Sequence, residues 1–481
     1  MKLRFIKNPS KLLASAFVLL FLVLNLWWIQ ADQLVRDGDE EGHVGAAELF
    51  LYDYQQGHFG TAMHRAIVSD QMGDYPSLYP ASVGTWWWIM GGGQPDRLSV
   101  RGFNLLFLVL AAGAVFTMAG RIKTGPALLG ATTVLFLPLS VGIARHFMPE
   151  GALAACVALA IAAAVRQRES PSRKAALLLG LALGAGFLTK QTFPLYVLAP
   201  LCYLLRPHRS LFWALPGLAL AAPWAWNNLI AQGSYLTDSA AYAGDASLIG
   251  HVGFYPTALL SLGLGPVWSV LLAAAVFLGW KSHHRRTLLL GLVWLIGGIV
   301  LLSFVPKKYA RLMVPLLPAC GLIFAVAIAA KPQFRHFLLM GIAWTTTASV
   351  SSRADLSPAQ SLVDFEPGQI QSWFRAADSR SLGFEAIRAF AEQNPDTQIL
   401  IIDGPEIVPH QTTHAWSQHL GPWLRREGLD REVYAVRWTE PGEVPRGPSI
   451  IVDFSGAAFQ GTSAVVPLLN NQPFTISLNS L

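Results

Sequence analysis

Apolar runs that are long enough, or nearly long enough, to cross a membrane recur along the first 350 residues. A hydrocarbon core about 30 Å thick requires a helix of about 20 apolar residues. Only 13% of the residues are charged, against about 25% in soluble domains. This pattern excludes a single water-soluble globule and predicts a polytopic α-helical membrane protein with about 11 transmembrane helices. The eleven runs lie at approximately 12–31, 102–120, 126–144, 150–165, 175–189, 192–205, 211–228, 256–280, 287–305, 312–330 and 337–350.

The first apolar run has two interpretations. Basic residues precede it and Ile29-Gln30-Ala31 loosely resembles a cleavage site, as in a secretory signal. Its apolar stretch is longer than the apolar region of a typical signal peptide. The sequence therefore favours a retained first transmembrane helix over a signal that is removed.

Charge is distributed unevenly between two parts of the chain. Residues 1–350 contain 26 Lys and Arg against 14 Asp and Glu, whereas residues 351–481 contain 9 Arg and 15 Asp and Glu. Basic residues accumulate in cytoplasmic loops of membrane proteins. Their alternation between the runs predicts an inner (plasma) membrane protein with a cytoplasmic N-terminus. The overall net charge of +6 is then a sum over two compartments and does not indicate a nucleic-acid partner.

Five basic residues depart from this bias, because they lie in short breaks on the predicted non-cytoplasmic side: Arg145, Lys190, Lys307, Lys308 and Arg311. One interpretation is that they are ordinary exceptions at helix ends. The other is that clustered cations at a membrane interface bind phosphate head groups.

Acidic residues are scarce between residues 102 and 350, where Glu150 stands out. It is predicted to begin a helix at the non-cytoplasmic interface. Such a carboxylate either stabilises the helix N-terminus or faces a functional cavity within the membrane region. A second acidic group, Asp37 to Glu41 followed by Gly42 and His43, begins the long loop 32–101 on the same predicted side. A solvated helix start and a functional site both remain open for it.

A metal site is a further possibility at this acidic group. Asp39 and His43 share a helix face at a spacing of four residues, and Glu150 or His146 could complete the set of ligands. No second His at ligand spacing accompanies them, so metal binding and cofactor use stay open. The pair His283-His284 lies on the predicted cytoplasmic side and reads as part of a basic loop.

Residues 351–481 are predicted to form a separate non-cytoplasmic α/β domain, following the membrane domain of residues 1–350. Helical patterns cover 384–394 and 414–428, and strand patterns cover 399–403, 432–438 and 449–454. No glycine-rich phosphate loop opens either helix, so the sequence does not support a nucleotide site there.

The order of motifs resembles the GT-C class of integral-membrane glycosyltransferases, in the branch of protein O-mannosyltransferases and lipid A aminoarabinose transferases. The resemblance covers most of residues 12 to 330. The motifs that carry it are Asp39-Glu40-Glu41-Gly42-His43, Tyr75-Pro76-Ser77-Leu78-Tyr79-Pro80, Arg145 to Glu150, Gly180 to Lys190, Ala222-Pro223-Trp224 with Asn227-Asn228, and Pro306 to Arg311 before Leu316-Leu317-Pro318.

The resemblance implies an enzyme that transfers a sugar from a polyprenyl-phosphate donor to a lipid, glycan or protein acceptor on the non-cytoplasmic face, with inversion. Asp39 is implied as the catalytic base and Glu150 as its assistant. Lys307, Lys308 and Arg311, with Arg145 and Lys190, would hold the donor phosphate. The supporting residues are Glu40, His43, Tyr79 and Tyr309.

A transporter or lipid flippase is the main alternative function, since many helices also build a permease. Transporters usually place ionisable groups near the bilayer midplane, within repeated halves. This sequence shows no such repeat, and its acids gather towards one face. A non-catalytic scaffold is a third reading, which leaves the one-sided acids and cations without an explanation.

Overall fold

The computed structural model of the chain describes residues 9–31, 38–68, 76–91, 97–120, 122–228, 248–305, 308–351, 384–393, 398–403, 433–437, 449–453, 463–467 and 473–479. The chain divides into two compact units. One comprises Met1–Ile29 and Val44–Ala376, and the other comprises Gln30–His43 and Ala377–Leu481. The predicted domain boundary after residue 350 borders residues 352–383, which lie outside the described ranges, and stays a prediction.

Helices account for nearly all of the described residues before 352. In chain order they are α1 (Pro9–Ala31), α2 (Gly38–Gln55), α3 (Phe59–Val68), α4 (Leu78–Ile89), α5 (Arg97–Met118), α6 (Thr124–Thr133), α7 (Pro138–Ala144), α8 (Glu150–Glu169), α9 (Arg173–Thr189), α10 (Phe193–Leu204), α11 (Leu215–Ala219), α12 (Ala222–Asn227), α13 (Leu248–Ala258), α14 (Gly265–Trp280), α15 (Arg285–Ser303), α16 (Leu317–Ala330) and α17 (Phe334–Ser351). Short 3₁₀ turns at Val134–Phe136, Arg209–Ala214 and Ala310–Leu316 and a π turn at Leu259–Gly263 connect some of them.

Five helical segments in the described part of the chain are long and apolar enough to span a membrane, or seven if two bent pairs each count as one span. The five are Lys11–Ala31, Leu98–Met118, Glu150–Glu169, Arg285–Ser303 and Ala310–Ala330. The prediction of a polytopic helical membrane protein is therefore confirmed. All eleven predicted runs are largely helical, but several helices are short, so the predicted number of about 11 spans stays a prediction.

The two bent pairs have local causes in proline and glycine. The axis turns by 61° between Thr124–Phe136 and Pro138–Ala144, where Leu137 is extended before Pro138, because a residue that precedes proline avoids the helical region. It turns by 108° between Gly250–Gly263 and Gly265–Trp280, where Gly265 has a φ of 66°, a value that favours glycine.

One predicted span, 211–228, is not a continuous helix. It consists of part of the 3₁₀ turn Arg209–Ala214 followed by the short helices α11 and α12. Each of these two helices has a proline at its start, Pro216 or Pro223. Proline lacks an N–H group and fits the first turn of a helix but not its interior, so each proline marks a new helix start.

The core of the membrane unit is built around α16. Within Ala310–Ala330, 94% of an 18-residue window is buried, whereas the corresponding window of Lys11–Ala31 is only 33% buried and presents large apolar side chains at the surface. Small residues permit the backbones to approach closely. A Cβ atom on Gly130 of α6 would lie 2.6 Å from the carbonyl oxygen of Gly321 on α16. Close approach at small residues is typical of helix packing in membranes.

The second unit contains a five-stranded sheet and the helix α18 (Phe384–Gln393). Its strands are β1 (Gln398–Asp403), β2 (Val433–Arg437), β3 (Ser449–Asp453), β4 (Ser463–Pro467) and β5 (Pro473–Asn479). The order is β2-β1-β3-β5-β4, with β1 parallel to β2 and β3 and with β5 antiparallel to β3 and β4. The sequence predicts α18 and the first three strands but not β4 and β5. The predicted helix 414–428 lies outside the described residues.

Candidate functional site

A buried carboxylate between two cations forms the centre of the candidate site. Glu150 begins α8 and is fully excluded from solvent. Lys190 Nζ donates a hydrogen bond of 2.6 Å to Glu150 Oε1, and Arg311 Nε lies 3.4 Å from the same oxygen. In the described part of the chain, Glu150 Oε2 is buried and accepts no hydrogen bond. One carboxylate oxygen is therefore held by the protein while the other remains able to accept a proton or a hydrogen bond.

Lys190 is positioned by the close packing of α9. The helix ends at Thr189, and Lys190 follows it in an extended conformation. A Cβ atom on Gly180 would lie 2.0 Å from the carbonyl oxygen of Ala214, and one on Gly184 would lie 2.2 Å from that of Gly217. These glycines bring α9 into backbone contact with the segment 209–219, because no larger residue fits.

Arg311 reaches Glu150 from the 3₁₀ turn Ala310–Leu316, which precedes the core helix α16. Its guanidinium carbon lies 4.6 Å from the ring centre of Tyr309, and its Nη1 donates a weak hydrogen bond of 3.8 Å to the sulfur of Met148. The cation–π contact holds the planar guanidinium in place. Tyr309, a predicted supporting residue, therefore touches a side chain of the site.

Asn104 anchors the segment that leads into Glu150, and the sequence analysis does not identify it. Its Nδ2 donates hydrogen bonds to the carbonyl oxygens of His146 and Met148, and its Oδ1 accepts one of 2.9 Å from the Tyr79 hydroxyl. Tyr79 is thus linked by hydrogen bonds through Asn104 to the segment that precedes Glu150. A polar side chain inside the apolar run 102–120 is the signal that could have identified Asn104, since such residues are rare in transmembrane helices.

Arg145 is buried against α1, in the same segment that leads to Glu150. Its Nε donates a hydrogen bond of 2.9 Å to Asn25 Oδ1, and its guanidinium carbon lies 4.7 Å from the ring centre of Trp28. Asn25 is a second polar residue in an apolar run that the sequence analysis does not identify.

Lys308 lies three residues before Arg311 and contacts the end of α15. Its Nζ donates hydrogen bonds of 2.8 and 3.3 Å to the carbonyl oxygens of Ser303 and Leu302, and lies 5.1 Å from the ring centre of Tyr255. Burial lowers the pKa of this ammonium group to about 8, because removal from water disfavours the charged form.

The remaining predicted residues are only partly described. Asp39 and Glu40 lie at the start of α2, and their side chains lie outside the described part of the structure, as does Lys307. His43 is buried on α2. Among the side chains that the structure describes, no group of three or more His, Cys, Asp and Glu residues is arranged to hold a metal ion. This result does not test a metal at Asp39 and His43, because the side chain of Asp39 lies outside the described part of the structure.

The charge balance favours an anionic ligand. Glu150 is the acid of the described cluster, and Lys190 and Arg311 both lie beside it. Arg145 and Lys308 are a few residues away along the same segments. Cations in excess over carboxylates, in a site largely removed from water, interact strongly with a phosphate group.

A family model covers the segment that contains much of this site. Residues 89–226 match the model of the dolichyl-phosphate-mannose-protein mannosyltransferases. This range includes Asn104, Arg145, Glu150 and Lys190. No curated protein sequence matches the chain at a significant level.

Solved structures resemble the chain over almost its whole length. ArnT from Cupriavidus metallidurans in the apo state has 13% sequence identity and a TM-score of 0.60, and ArnT bound to undecaprenyl phosphate has 14% and 0.58. Each comparison covers 98% of both chains. The archaeal oligosaccharyltransferase AglB from Archaeoglobus fulgidus has 11% identity and a TM-score of 0.50, over 88% of this chain and 64% of that one.

These comparisons confirm the resemblance predicted from the sequence. The chain has the fold of ArnT, and its segment 89–226 resembles the mannosyltransferase family. At 13% identity the structural similarity establishes the fold, and the reaction must be argued from the residues of this chain.

Proposed function

We propose that this protein is a membrane glycosyltransferase that moves a sugar from a polyprenyl-phosphate donor to an acceptor. The observation that carries the proposal is the buried Glu150 carboxylate. Lys190 and Arg311 hold one of its oxygens, and the other accepts no hydrogen bond from the described residues. A carboxylate that can accept a hydrogen bond from an acceptor hydroxyl thus lies beside cations that can bind a phosphate group. A relative of the same fold binds undecaprenyl phosphate, which supports this class of donor.

In this reaction the cations stabilise the leaving group. Cleavage of the anomeric C–O bond leaves the electron pair on the lipid phosphate, whose negative charge then increases. Preorganised cations aimed at developing charge contribute more in a site shielded from water than in solution. We propose this role for Lys190 and Arg311, which both contact Glu150 Oε1, with Lys308, Arg145 and Lys307 as the further candidates. No general acid is required, because a phosphate departs without a proton.

The acceptor hydroxyl must lose its proton as its oxygen attacks the anomeric carbon. Asp39 is the proposed base, on the resemblance of Asp39-Glu40-Glu41-Gly42-His43 to the family's acidic motif. Glu150 is proposed to orient the acceptor or to stabilise an oxocarbenium-like centre through its Oε2 atom. Direct displacement of the phosphate by the hydroxyl inverts the anomeric configuration.

The proposed location follows from the distribution of basic residues. The positive-inside bias assigns the N-terminus to the cytoplasm, and Glu150, Lys190 and Arg311 to the opposite face. Residues 351–481, with their excess of acidic residues, are proposed to form a domain on the non-cytoplasmic side.

Mass spectrometry of envelope glycans and lipids tests the proposal. Cells without the protein should lack one sugar modification that is present in cells with it, and that modification identifies both donor sugar and acceptor. Re-expression of Arg311→Gln should not restore it, whereas Arg286→Gln, a change at an exposed arginine at the start of α15, should restore it. Identical glycans and lipids in both cells, together with solute uptake by proteoliposomes, would support a transporter instead.

A further inference from the structure

A cavity with basic residues in its lining lies at the helix ends opposite Glu150. Its volume is about 320 Å³, and its lining includes Lys123, His284 and Arg335. These three residues come from three separate breaks between helices, before α6, before α15 and at the start of α17.

The direction of the chain places this cavity at the ends of α6, α15 and α16 that are farther from Glu150. Lys123 precedes the bent pair α6 and α7, which ends beside Arg145. His284 precedes α15, which leads towards Lys308, and Arg335 lies beyond the end of α16, which begins after Arg311. Each of the three helical segments therefore has one end at the cavity and the other near the Glu150 site.

Among the described residues, no carboxylate forms an ion pair with the basic side chains that line the cavity. None of the lining residues is acidic. Lys123 and Arg335 are exposed, His284 is half-buried, and in the part of the chain that the structure describes none of the three forms an ion pair. Three helices also begin here, α6, α15 and α17. The positive ends of their dipoles add to the attraction for an anion.

The interior of the cavity is apolar. Leu129 and Ile328 are buried in its wall, and Leu13, on the sparsely buried span of α1, is 41% exposed. A ligand that fits this arrangement has an anionic group for the basic rim and an apolar chain for the wall beside α1.

We propose that this cavity binds the phosphate group of an anionic membrane lipid. Lys123, His284 and Arg335 contact the phosphate, and an acyl or prenyl chain lies against Leu13, Leu129 and Ile328. The site is separate from the proposed donor site at Glu150, and its occupancy does not depend on the proposed reaction.

Lipid binding to the full-length protein in a neutral detergent tests this proposal. Phosphatidylglycerol, phosphatidylcholine and inorganic phosphate are titrated separately, and bound lipid is counted by native mass spectrometry. The wild-type protein should retain phosphatidylglycerol and exchange phosphatidylcholine. The double variant Lys123→Gln/Arg335→Gln should bind phosphatidylglycerol roughly 30-fold more weakly, since each basic side chain near a membrane surface contributes about fivefold.

The matched control is Lys174→Gln/Arg286→Gln, which removes one exposed lysine at the start of α9 and one exposed arginine at the start of α15 that do not line the cavity. Its affinity should stay within about twofold of wild type, on the same scale of charge effects. Equal weakening in the two double variants would show general surface attraction and overturn the proposal, as would unchanged binding in Lys123→Gln/Arg335→Gln. Inorganic phosphate that binds as tightly as phosphatidylglycerol would overturn the assignment to a lipid.

Discussion

Lys190 Nζ lies 2.6 Å from Glu150 Oε1, although the two residues are 40 positions apart in the chain. Both are buried, Lys190 just beyond the end of α9 and Glu150 at the start of α8. An ion pair removed from water is costly to break, because the remaining charge has neither solvent nor partner. This pair therefore ties together the ends of two neighbouring helices and holds one carboxylate oxygen at the candidate site.

Single and double substitutions of this pair should be strongly non-additive in stability. Glu150→Gln removes the buried carboxylate that contacts Lys190 and Arg311 and should lower the free energy of unfolding by about 3–5 kcal/mol. Lys190→Met leaves Glu150 with Arg311 and should cost less. The double variant Glu150→Gln/Lys190→Met should be destabilised by less than the sum of the two single variants, in thermal unfolding in detergent. Additive losses would show that the two charges do not interact.

Asp39→Asn should abolish sugar transfer without reducing the amount of protein inserted in the membrane. The change keeps the shape of the side chain but removes the basic carboxylate that the proposed mechanism requires. Transfer from a polyprenyl-phosphate sugar in isolated membranes measures the activity, and immunoblotting measures the protein. Glu48→Gln, a change on the same helix α2, should retain activity. Full activity in Asp39→Asn would remove this residue from the mechanism.

Affinity for the donor phosphate should fall as pH rises through about 8, the pKa of Lys308. Below this pH the lysine is charged and attracts the phosphate, and above it the neutral amine does not. Binding of polyprenyl phosphate should thus be about tenfold weaker at pH 9 than at pH 7. Lys308→Arg, which stays charged throughout this range, should bind with little pH dependence. A flat wild-type profile, or the same slope in both proteins, would contradict the role of Lys308.

Asn104→Ala should disturb the segment before Glu150 more than Tyr79→Phe does. The first change removes the hydrogen bonds of Asn104 with the Tyr79 hydroxyl and with the carbonyls of His146 and Met148, each worth about 1 kcal/mol. The second removes one hydrogen bond, worth about 1 kcal/mol. Thermal unfolding and the KM for the acceptor should both follow this order. Equal effects would show that Asn104 does not hold the segment.

Several local features could be predicted from the sequence. The start of α8 at Glu150 and the end of α9 just before Lys190 agree with the predicted runs, because apolar length and polar breaks are local signals. The prediction of a single helix over 211–228 is wrong, because Pro216 and Pro223 each lie at the start of a new helix. Hydropathy is averaged over many residues, so it does not detect the single proline at which one helix ends and another begins.

The residues that support the site were harder to recognise. Asn25 and Asn104 are single polar residues within apolar runs, and their partners Arg145 and Tyr79 come from distant positions. Only the packing of α1, α4 and α5 against residues 145–149 shows that these hydrogen bonds form.

The sequence alone determined that this chain enters a membrane and where some of its helices begin, such as α8 at Glu150. These properties depend on side-chain chemistry and local order along the chain. Only the tertiary structure decided that Glu150 pairs with Lys190 and Arg311, and that its second oxygen accepts no hydrogen bond from the residues that the structure describes. The physical reason is that this pairing depends on how closely α8, α9 and the turn before α16 pack, which no local pattern specifies.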